Sequence, residues 1–566
     1  MFTSREPTGP ECFRMPTTTH AAHAAGDARI VATRLSYAPP HGADDRPLLH
    51  DLTLAVGRER TGLVGANGSG KTTLLRLLAG ELTPTAGSVQ RTGTVAVLPQ
   101  DFRPAPDAPL ATVLGIAERL AALQRLEAGT GTADDFDLVG DAWDLPERTH
   151  AVLAGLGLGH LPLDRPVGTV SGGEATRVAL AGLALGRPDV LLLDEPTNHL
   201  DAASRAALYA FVEGWTGGLL CVSHDRALLR RMDRIVELST LGVRVYGGGY
   251  DFYRARRDAD DEAARRELDG ARAALRLAER EAREVRERQA RRAAQGRRDG
   301  AAANMPKILL GARKRQAEAT GARVRAITAR EVEERRARTD AARQRVEERE
   351  RPRFALPSTQ LPAGRTVLAL EDVTVHHPGA PRPVLDGVTL HLVGPQRVGV
   401  VGPNGSGKST LLRVATGELA PDAGTVRRLP DDETASLDQH GAALDPTRSV
   451  LENFHARHPT IEASAARHAL ARFLFSDEAA LRTVGTLSGG ERLRASLACV
   501  LGGARPPALL VLDEPTNHLD LDALEALEAA LRDYDGALLV VSHDASFLEA
   551  IGVERYLTLA TPRASP

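Results

Sequence analysis

The sequence predicts an α/β fold with two similar domains in tandem and a long antiparallel helical hairpin between them. The nine residues LDEPTNHLD occur twice, at Leu193–Asp201 and Leu512–Asp520, each beginning inside an apolar run typical of a buried strand. Three further stretches repeat in the same order in both halves, which indicates a duplicated domain. The segment 255–352 between the halves is rich in Ala, Arg and Glu and follows a heptad pattern instead.

The composition of the 566 residues is that of a globular protein with room for roughly three to four domains. Cys12, Cys221 and Cys499 lie far apart and form no CxxC pair, which argues against disulfide, zinc-ribbon and iron–sulfur domains and favours a cytoplasmic location. No apolar run approaches the roughly 18–20 residues that cross a bilayer, so no membrane span is predicted. Residues 1–27 have no apolar core, and we expect a disordered tail there, not a signal peptide.

Each half opens with the pattern GxxxxGK[ST], at Gly65–Thr72 and Gly402–Ser409, between an apolar strand and a helix-like run. In that context the glycines let backbone N–H groups face phosphates, and the lysine reaches the β- and γ-phosphates. The predicted nucleotide contacts are therefore Gly65, Asn67, Gly68, Ser69, Gly70, Lys71, Thr72 and Thr73 in the first loop, and Gly402, Asn404, Gly405, Ser406, Gly407, Lys408, Ser409 and Thr410 in the second.

The duplicated LDEPTNHLD places two adjacent carboxylates at the end of an apolar strand, Asp194 with Glu195 and Asp513 with Glu514. In a nucleotide-hydrolysing protein the first carboxylate holds the hydration shell of Mg²⁺, and the second orients or deprotonates the attacking water. A strand that ends at a polar turn would explain one copy, but two identical copies in separate halves make that explanation improbable.

Two further pairs of polar residues follow strands at matching places. Gln100 and Gln439 lie about thirty residues beyond the phosphate loops and are suited to ligate Mg²⁺ and position water. His224 and His543 end an apolar, β-rich run about 29 residues after Glu195 and Glu514, where an imidazole can hydrogen-bond the γ-phosphate. A surface glutamine or a structural histidine would be the default explanation for a single copy.

The stretch SGGE occurs at Ser171–Glu174 and Ser488–Glu491, and it indicates a serine N-cap that opens a helix. Such a helix start serves either as plain capping or as a phosphate-binding site. The predicted contacts are Ser171, Gly172 and Gly173 in the first half and Ser488, Gly489 and Gly490 in the second.

Together these motifs resemble the ATP-binding cassette (ABC) ATPases, with every motif present twice. The resemblance implies two P-loop ABC ATPase domains in tandem, with ATP and Mg²⁺ as cofactors. It implies that Glu195 and Glu514 are general bases and that Asp201 and Asp520 match the D-loop. The implied Mg²⁺ contacts are Thr72, Gln100, Asp194, Ser409, Gln439 and Asp513.

The family resemblance further implies a head-to-tail sandwich within one monomer, which closes on ATP and opens after hydrolysis. Ser171 and Gly173 would complete the site of Lys408. Ser488 and Gly490 would complete the site of Lys71.

The halves differ in two informative places. Tyr37 stands where the family stacks an aromatic ring on adenine, whereas the second half offers Val375 with His376 beside it, so adenine stacking there is in doubt. The interval from glutamine to SGGE is 71 residues in the first half and 49 in the second. The extra residues fall within about 101–165, and we expect an inserted surface arm there.

The linker 255–352 separates domains predicted at 28–254 and 353–566. Its first part carries an apolar heptad seam, so we expect two helices of about 40 residues, each roughly 60 Å long, with a turn near 296–306. The tip at about 291–330 holds eleven basic and two acidic residues, a net charge of +9 within a chain of net charge −3. That imbalance favours a polyanionic partner over a merely solvated coiled coil. The candidate RNA contacts are Arg297, Arg298, Lys307, Arg313, Lys314 and Arg315.

Two cassettes, the sequence NHLD after the carboxylates and a charged helical linker resemble the ABC-F subfamily. The resemblance implies binding to the ribosomal E site, with the linker reaching toward peptidyl-tRNA and the peptidyl-transferase centre. It implies contact with rRNA and tRNA, as a translation factor or in antibiotic ribosomal protection. The alternatives are a cytosolic ATPase subunit that serves a separate membrane permease, and a DNA-repair or chromosome ATPase. The first needs no long basic hairpin between its cassettes, and the missing Cys-rich zinc elements and the modest linker length argue against the second.

Overall fold

The computed structural model describes residues 29–39, 47–100, 102, 104–198, 200–239, 242–302, 307–347, 356–379, 382–437, 444–476, 478–487, 489–503, 505–517 and 519–560. Side chains at 296–302, 307–321 and a few neighbouring hairpin positions lie outside the described set. The described residues fall into two compact units. One unit comprises those up to Tyr250 together with those from 356 onward, and the other comprises those from Asp251 to 347.

The first domain, the described residues up to Gly247, contains two sheets. The smaller sheet is antiparallel, in the order β2-β1-β4, with strands β1 (Ile30–Tyr37), β2 (Leu49–Val56) and β4 (Ala86–Arg91). The larger sheet has the order β5-β6-β7-β3-β8-β9, with strands β3 (Arg60–Val64), β5 (Val95–Leu98), β6 (Val190–Asp194), β7 (Gly218–Val222), β8 (Arg234–Ser239) and β9 (Gly242–Gly247). All its pairs are parallel except β8 with β9.

The helices of the first domain are α1 (Lys71–Ala79), α2 (Leu110–Val113), α3 (Ala117–Glu127), α4 (Ala133–Val139), α5 (Leu145–Gly155), α6 (Gly172–Leu185), α7 (Ala202–Gly214) and α8 (Arg226–Leu229). The stretch predicted as an arm holds α2 to α5. Within it, α3 and α4 pack around a small core of Ala122, Leu123 and Val139. An ion pair between Arg125 and Asp135 joins the same two helices.

The second unit consists of helices α9 (Tyr250–Ala302, of which Tyr250 belongs to the first unit) and α10 (Lys307–Glu347). Arg345 lies 2.8 Å from Glu267 and Arg336 lies 3.7 Å from Glu279, so positions late in α10 pair with positions early in α9. That order makes the hairpin antiparallel, as predicted. The heptad seam is the buried stripe of α9: Ala264, Leu268, Ala271, Leu275, Ala278, Ala282 and Val285 are all buried or half-buried.

The second domain, the described residues from 356 onward, repeats the plan. Its antiparallel sheet has the order β11-β10-β13, with β10 (Thr366–His376), β11 (Pro383–Val393) and β13 (Ala423–Arg428). Its parallel sheet has the order β14-β15-β16-β12-β17, with β12 (Arg397–Val401), β14 (Thr434–Leu437), β15 (Leu509–Asp513), β16 (Ala537–Val541) and β17 (Arg555–Thr558). The helices are α11 (Lys408–Thr416), α12 (Val450–Arg457), α13 (Ala463–Arg472), α14 (Gly489–Leu501), α15 (Leu521–Asp533) and α16 (Ala545–Ala550).

The strand order of the parallel sheets brings the repeated motifs together. In the first domain β7 lies between β3 and β6, so the phosphate loop, the carboxylate pair and the histidine all follow strands that end at one edge. Ligands in such sheets bind beyond the carboxyl ends of the strands. The same neighbours, β12, β16 and β15, recur in the second domain. The predicted fold class is therefore confirmed. Among the helices that are described, none is long and apolar enough to cross a membrane.

Candidate functional site

Each phosphate loop is a tight turn in which two positions accept only glycine. A Cβ atom on Gly65 would lie 2.3 Å from the carbonyl oxygen of Leu238, so the loop backbone runs against β8. Gly70 precedes α1 with φ of +94°, a left-handed conformation without cost for glycine. The second loop repeats both features, because a Cβ atom on Gly402 would lie 2.5 Å from the carbonyl oxygen of Leu559 and Gly407 has φ of +90°.

The two loop lysines are buried and fold back over their own loops. Nζ of Lys71 donates to the carbonyl oxygens of Gly65 and Ala66 at 2.7 and 3.0 Å. Nζ of Lys408 donates to the matching carbonyls of Gly402 and Pro403, both at 2.9 Å. Burial lowers the pKa of both lysines, and the neighbouring carboxylates oppose that shift. Each ammonium group thus lies against the backbone of its own phosphate loop, where it is suited to bind phosphate oxygens.

The glutamate that follows each strand has a strained backbone. Glu195 has φ of +48° and Glu514 has φ of +44°, a region that costs a non-glycine residue of order 1–3 kcal/mol. Their backbone N–H groups donate to the carbonyl oxygens of Val222 and Val541, both at 2.9 Å, which fixes the turn. Strain of this kind, repeated at the same position of both domains, is typical of functional sites.

Each glutamate faces the histidine of its own domain. Nε2 of His224 lies 3.3 Å from Oε1 of Glu195, and Nε2 of His543 lies 3.4 Å from Oε1 of Glu514. Burial raises the pKa of Glu195, and it raises the pKa of Glu514 to about 7. Burial lowers the pKa of His224, and it lowers the pKa of His543 to about 4, so both imidazoles are neutral at pH 7. A carboxylate that accepts a proton near neutral pH is suited to general base chemistry.

Many of the predicted site residues of the first domain line a cavity of about 460 Å³. Its lining includes Lys71, Thr72, Gln100, Asp194, Glu195 and His224. The hydroxyl, amide and carboxylate oxygens of Thr72, Gln100 and Asp194 form a donor set of the kind that Mg²⁺ prefers, so these residues fit the metal that the family uses. The lining also includes Gly489, Thr516 and Asn517 from the second domain. The site of Lys71 is therefore built from both domains, and it includes one glycine of the second SGGE stretch.

The two D-loop aspartates each reach across to the opposite phosphate loop. Oδ2 of Asp520 accepts from the backbone N–H of Asn67 at 2.8 Å, and Oδ2 of Asp201 accepts from the backbone N–H of Asn404 at 3.5 Å. The other oxygen of each caps its own helix, with Oδ1 of Asp520 accepting from Ala523 and Oδ1 of Asp201 accepting from Ser204. One carboxylate thus fixes both a helix start and a contact between domains.

The first SGGE stretch forms a helix N-terminus with a reciprocal cap. The backbone N–H of Ser171 donates to Oε2 of Glu174 at 2.8 Å, and the backbone N–H of Glu174 donates to Oγ of Ser171 at 3.3 Å. Gly173 is buried and packs close to Ser204 at the start of α7, so the SGGE helix and the D-loop helix support each other. Ser488 and Gln439 lie outside the described residues.

The adenine positions remain predictions. Tyr37 ends β1 and lies half-buried against the core beneath the small sheet. In the second domain Val375 is 2% exposed, within the core, and Nδ1 of His376 lies 3.0 Å from Oδ2 of Asp422.

Sequence analysis did not select several residues that line the cavity. Thr197 with Asn198, Thr516 with Asn517, and Asp225 with Asp544 all face it. The sequence could have identified them, because Thr197 and Asn198 recur as Thr516 and Asn517, and Asp225 recurs as Asp544. Leu48 and Arg205 also line the cavity, yet neither belongs to a repeated motif, so only the tertiary structure reveals them.

The chain has two phosphate sites of the strand–loop–helix type, and each has a carboxylate pair and a histidine. The D-loop of the other domain contacts each site. These features define a tandem ATP-binding cassette ATPase. Known proteins give the same result. The ABC transporter family model matches residues 49–198 and 385–517. The tylosin resistance ATP-binding protein TlrC of Streptomyces fradiae is 36% identical over 538 residues, which covers 88% of this chain and 92% of TlrC.

The ATP-binding protein Uup of Escherichia coli is 33% identical over 541 residues, which covers 90% of this chain and 78% of Uup. Among solved structures, that of an RNase-L Inhibitor superposes with a TM-score of 0.51 at 20% identity over 93% of this chain and 87% of that chain, a likeness of fold. The chain belongs to the ABC-F subfamily of the ATP-binding cassette family, and it is an ATPase.

Proposed function

We propose that the chain hydrolyses ATP at two composite sites between its domains and uses the resulting opening and closing to act on the ribosome in the cytoplasm. The first site is defined by Lys71, Glu195 and His224, and the second site by Lys408, Glu514 and His543. The observation that carries the ATPase part is the buried glutamate–histidine pair at each strand end, beside a loop lysine and an opposing D-loop.

In each site the glutamate, in its ionised form, accepts a proton from the attacking water, and burial makes that carboxylate a stronger base by raising the pKa of its carboxyl. The neutral histidine carries one N–H, which it donates toward the γ-phosphate. The lysine leaves its loop carbonyls for the phosphate oxygens. Thr72, Gln100 and Asp194 would hold Mg²⁺ at the first site, and Ser409, Gln439 and Asp513 would hold it at the second, where a bound ion would neutralise phosphate charge.

The D-loop contacts support a cycle in which hydrolysis changes the pairing of the domains. Asp520 touches the phosphate loop of the first site while capping α15, so a rearranged loop displaces the start of that helix. Ser171 and Gly173 would face the second site, and Ser488 and Gly490 the first. Nucleotide would thus stabilise the closed pair of domains, and loss of the γ-phosphate would release it.

The ribosomal part of the proposal rests on the hairpin and on family membership. ABC-F membership, a long helical hairpin between the two domains and a basic hairpin tip with a net charge of +9 support an RNA partner. The relative TlrC is named for tylosin resistance, which supports antibiotic ribosomal protection beside a translation-factor role. We infer that the hairpin enters from the E site toward peptidyl-tRNA and that Arg297, Arg298, Lys307, Arg313, Lys314 and Arg315 contact RNA.

The test uses the Glu195→Gln/Glu514→Gln double variant, which keeps the shape of both sites but removes the proposed bases. With ATP it should remain closed and co-sediment with 70S ribosomes, whereas the wild-type chain with ADP should stay in the supernatant. A double variant that stays in the supernatant with ATP, or that partitions with membranes, contradicts the ribosomal proposal. Partition with membranes would support the alternative, an ATPase subunit that serves a separate permease.

A further inference from the structure

The two sites differ in the residues that surround His224 and His543, the switch histidines, each of which lies in the switch loop of its domain. When the repeats are aligned on LDEPTNHLD, the helix after the D-loop carries Tyr209 in the first domain and Glu528 in the second. Directly after the SHD sequence, the first domain carries Arg226 and the second carries Ala545. At each of these two equivalent positions, the first and second domains therefore carry residues of different charge.

On one diagonal the differing residues form a buried ion pair between the domains. Nη1 of Arg226 lies 2.9 Å from Oε1 of Glu528, and their side chains are only 11% and 8% exposed. Arg226 opens α8 two residues after His224. Glu528 lies on α15, the helix whose start is capped by Asp520. The switch loop of the first site is thus tied to the D-loop helix of the second domain.

On the other diagonal the same positions hold Tyr209 and Ala545, which cannot form an ion pair. The Tyr209 hydroxyl instead donates to Oδ2 of Asp225 at 2.6 Å, inside its own domain. Arg205 adds a longer contact of 3.4 Å to the same oxygen. Among the described residues, these two positions therefore give the second site no ion pair equivalent to that of Arg226 with Glu528.

The helix α15 consequently meets the first site at two points. Asp520 accepts from the phosphate loop at Asn67, and Glu528 pairs with Arg226 beside the switch histidine. Separating the domains would break both contacts at once, whereas removing the charge of one partner in the closed pair would leave the other buried without its counter-ion, which is strongly unfavourable. The second site has the longer contact of 3.5 Å between Asn404 and Asp201 at the equivalent of the first point, and the positive charge of Arg205 from the first domain opposes the rise in the pKa of Glu514 there.

We propose that Arg226 and Glu528 are positioning residues that hold the His224 loop in its hydrolytic position only while the domains are closed, so that the first site is coupled to closure more tightly than the second. This inference rests on the proposed roles of Glu195, Glu514 and the histidines. It adds that the two sites are unequal and identifies the residues that make them so.

The experiment measures ATP turnover with one site active at a time. Glu514→Gln leaves the first site active, and Glu195→Gln leaves the second. Adding Glu528→Gln, which keeps the shape of the side chain but removes its charge, should lower kcat about 10-fold in the first background and less than 2-fold in the second. Asp533→Asn, an exposed acid on the same helix, is the matched control and should change neither.

Arg226→Ala installs the residue that the second repeat carries at this position, and it should reproduce the site-selective loss. The Arg226→Ala/Glu528→Gln pair should then cost no more than either change alone. Equal losses in both backgrounds, or no loss in either, would overturn the inference. If neither parent background hydrolyses ATP, the assignment of the sites fails instead. A thermal unfolding curve for each variant separates a folding defect from a defect in coupling.

Discussion

The backbone N–H of Asn67 donates a 2.8 Å hydrogen bond to Oδ2 of Asp520, although 453 residues separate them in the chain. This bond joins the phosphate loop of one domain to the D-loop of the other. Because the same carboxylate caps α15, the nucleotide site, the domain interface and a helix N-terminus share one side chain.

Asp520→Ala should lower hydrolysis at the first site more than Asp201→Ala lowers it at the second. The reason is the contact length, 2.8 Å for Asp520 with Asn67 against 3.5 Å for Asp201 with Asn404. Measured in the single-site backgrounds, we expect a loss of about 10-fold or more for Asp520→Ala, the equivalent of about 1.4 kcal/mol. Both variants lose a helix cap of about 1 kcal/mol, so their thermal stabilities should match. Equal kinetic losses would contradict the prediction.

Hydrolysis at the second site should depend on pH through Glu514. Its pKa is raised to about 7 by burial, so the carboxyl is protonated below that pH and cannot accept a proton from water. In the Glu195→Gln background, kcat/KM should therefore rise with pH and level off above about pH 7 to 8. His543, with its pKa lowered to about 4, remains neutral over this range and adds no second step. A profile that is flat between pH 5.5 and 8.5 would argue against Glu514 as the base.

The strained backbone at Glu514 should be visible in stability. Glu514→Gly removes the strain of φ at +44°, whereas Glu514→Ala keeps it. Both changes delete the carboxylate, so their difference isolates the backbone. Because glycine also gains entropy in the unfolded chain, we expect a net advantage of about 1 kcal/mol for Glu514→Gly over Glu514→Ala in the free energy of unfolding. Denaturant titration measures it, and a more stable alanine variant would refute the argument.

Charge reversal at the hairpin tip should separate ribosome binding from hydrolysis. Changing Arg313, Lys314 and Arg315 to Glu should weaken co-sedimentation with ribosomes and reduce its dependence on salt, since contacts to phosphate are lost. ATP turnover without ribosomes should stay within about 2-fold of wild type, because every proposed ATP-site residue belongs to the two cassette domains. Reversal of acidic Glu331, Glu333 and Glu334 to Lys, on α10 directly after the basic tip, provides the matched control. Equal loss of binding and turnover would make the tip a purely structural element.

In the hairpin, the spacing of apolar residues alone predicted which positions of a helix are buried. The apolar seam from Ala264 to Val285 predicted one buried stripe, and these positions are buried or half-buried in α9. In the returning helix α10, Thr339 and Ala342 are buried as well. Helical periodicity is a local property, so the sequence predicted the helices. An apolar seam needs a second helix to cover it, so the sequence also predicted that the two helices pair.

The sequence by itself determined the two-domain fold, the phosphate loops and the strand-end carboxylates, because a duplicated motif in a strand–loop–helix context leaves few other structures. Only the tertiary structure decided which residues meet between the domains. Arg226 and Glu528 lie 302 residues apart and carry no shared pattern, and their 2.9 Å contact depends on how two folded surfaces pack. The burial that raises the pKa of Glu195 and Glu514 arises in the same way, since desolvation requires neighbours from several distant segments.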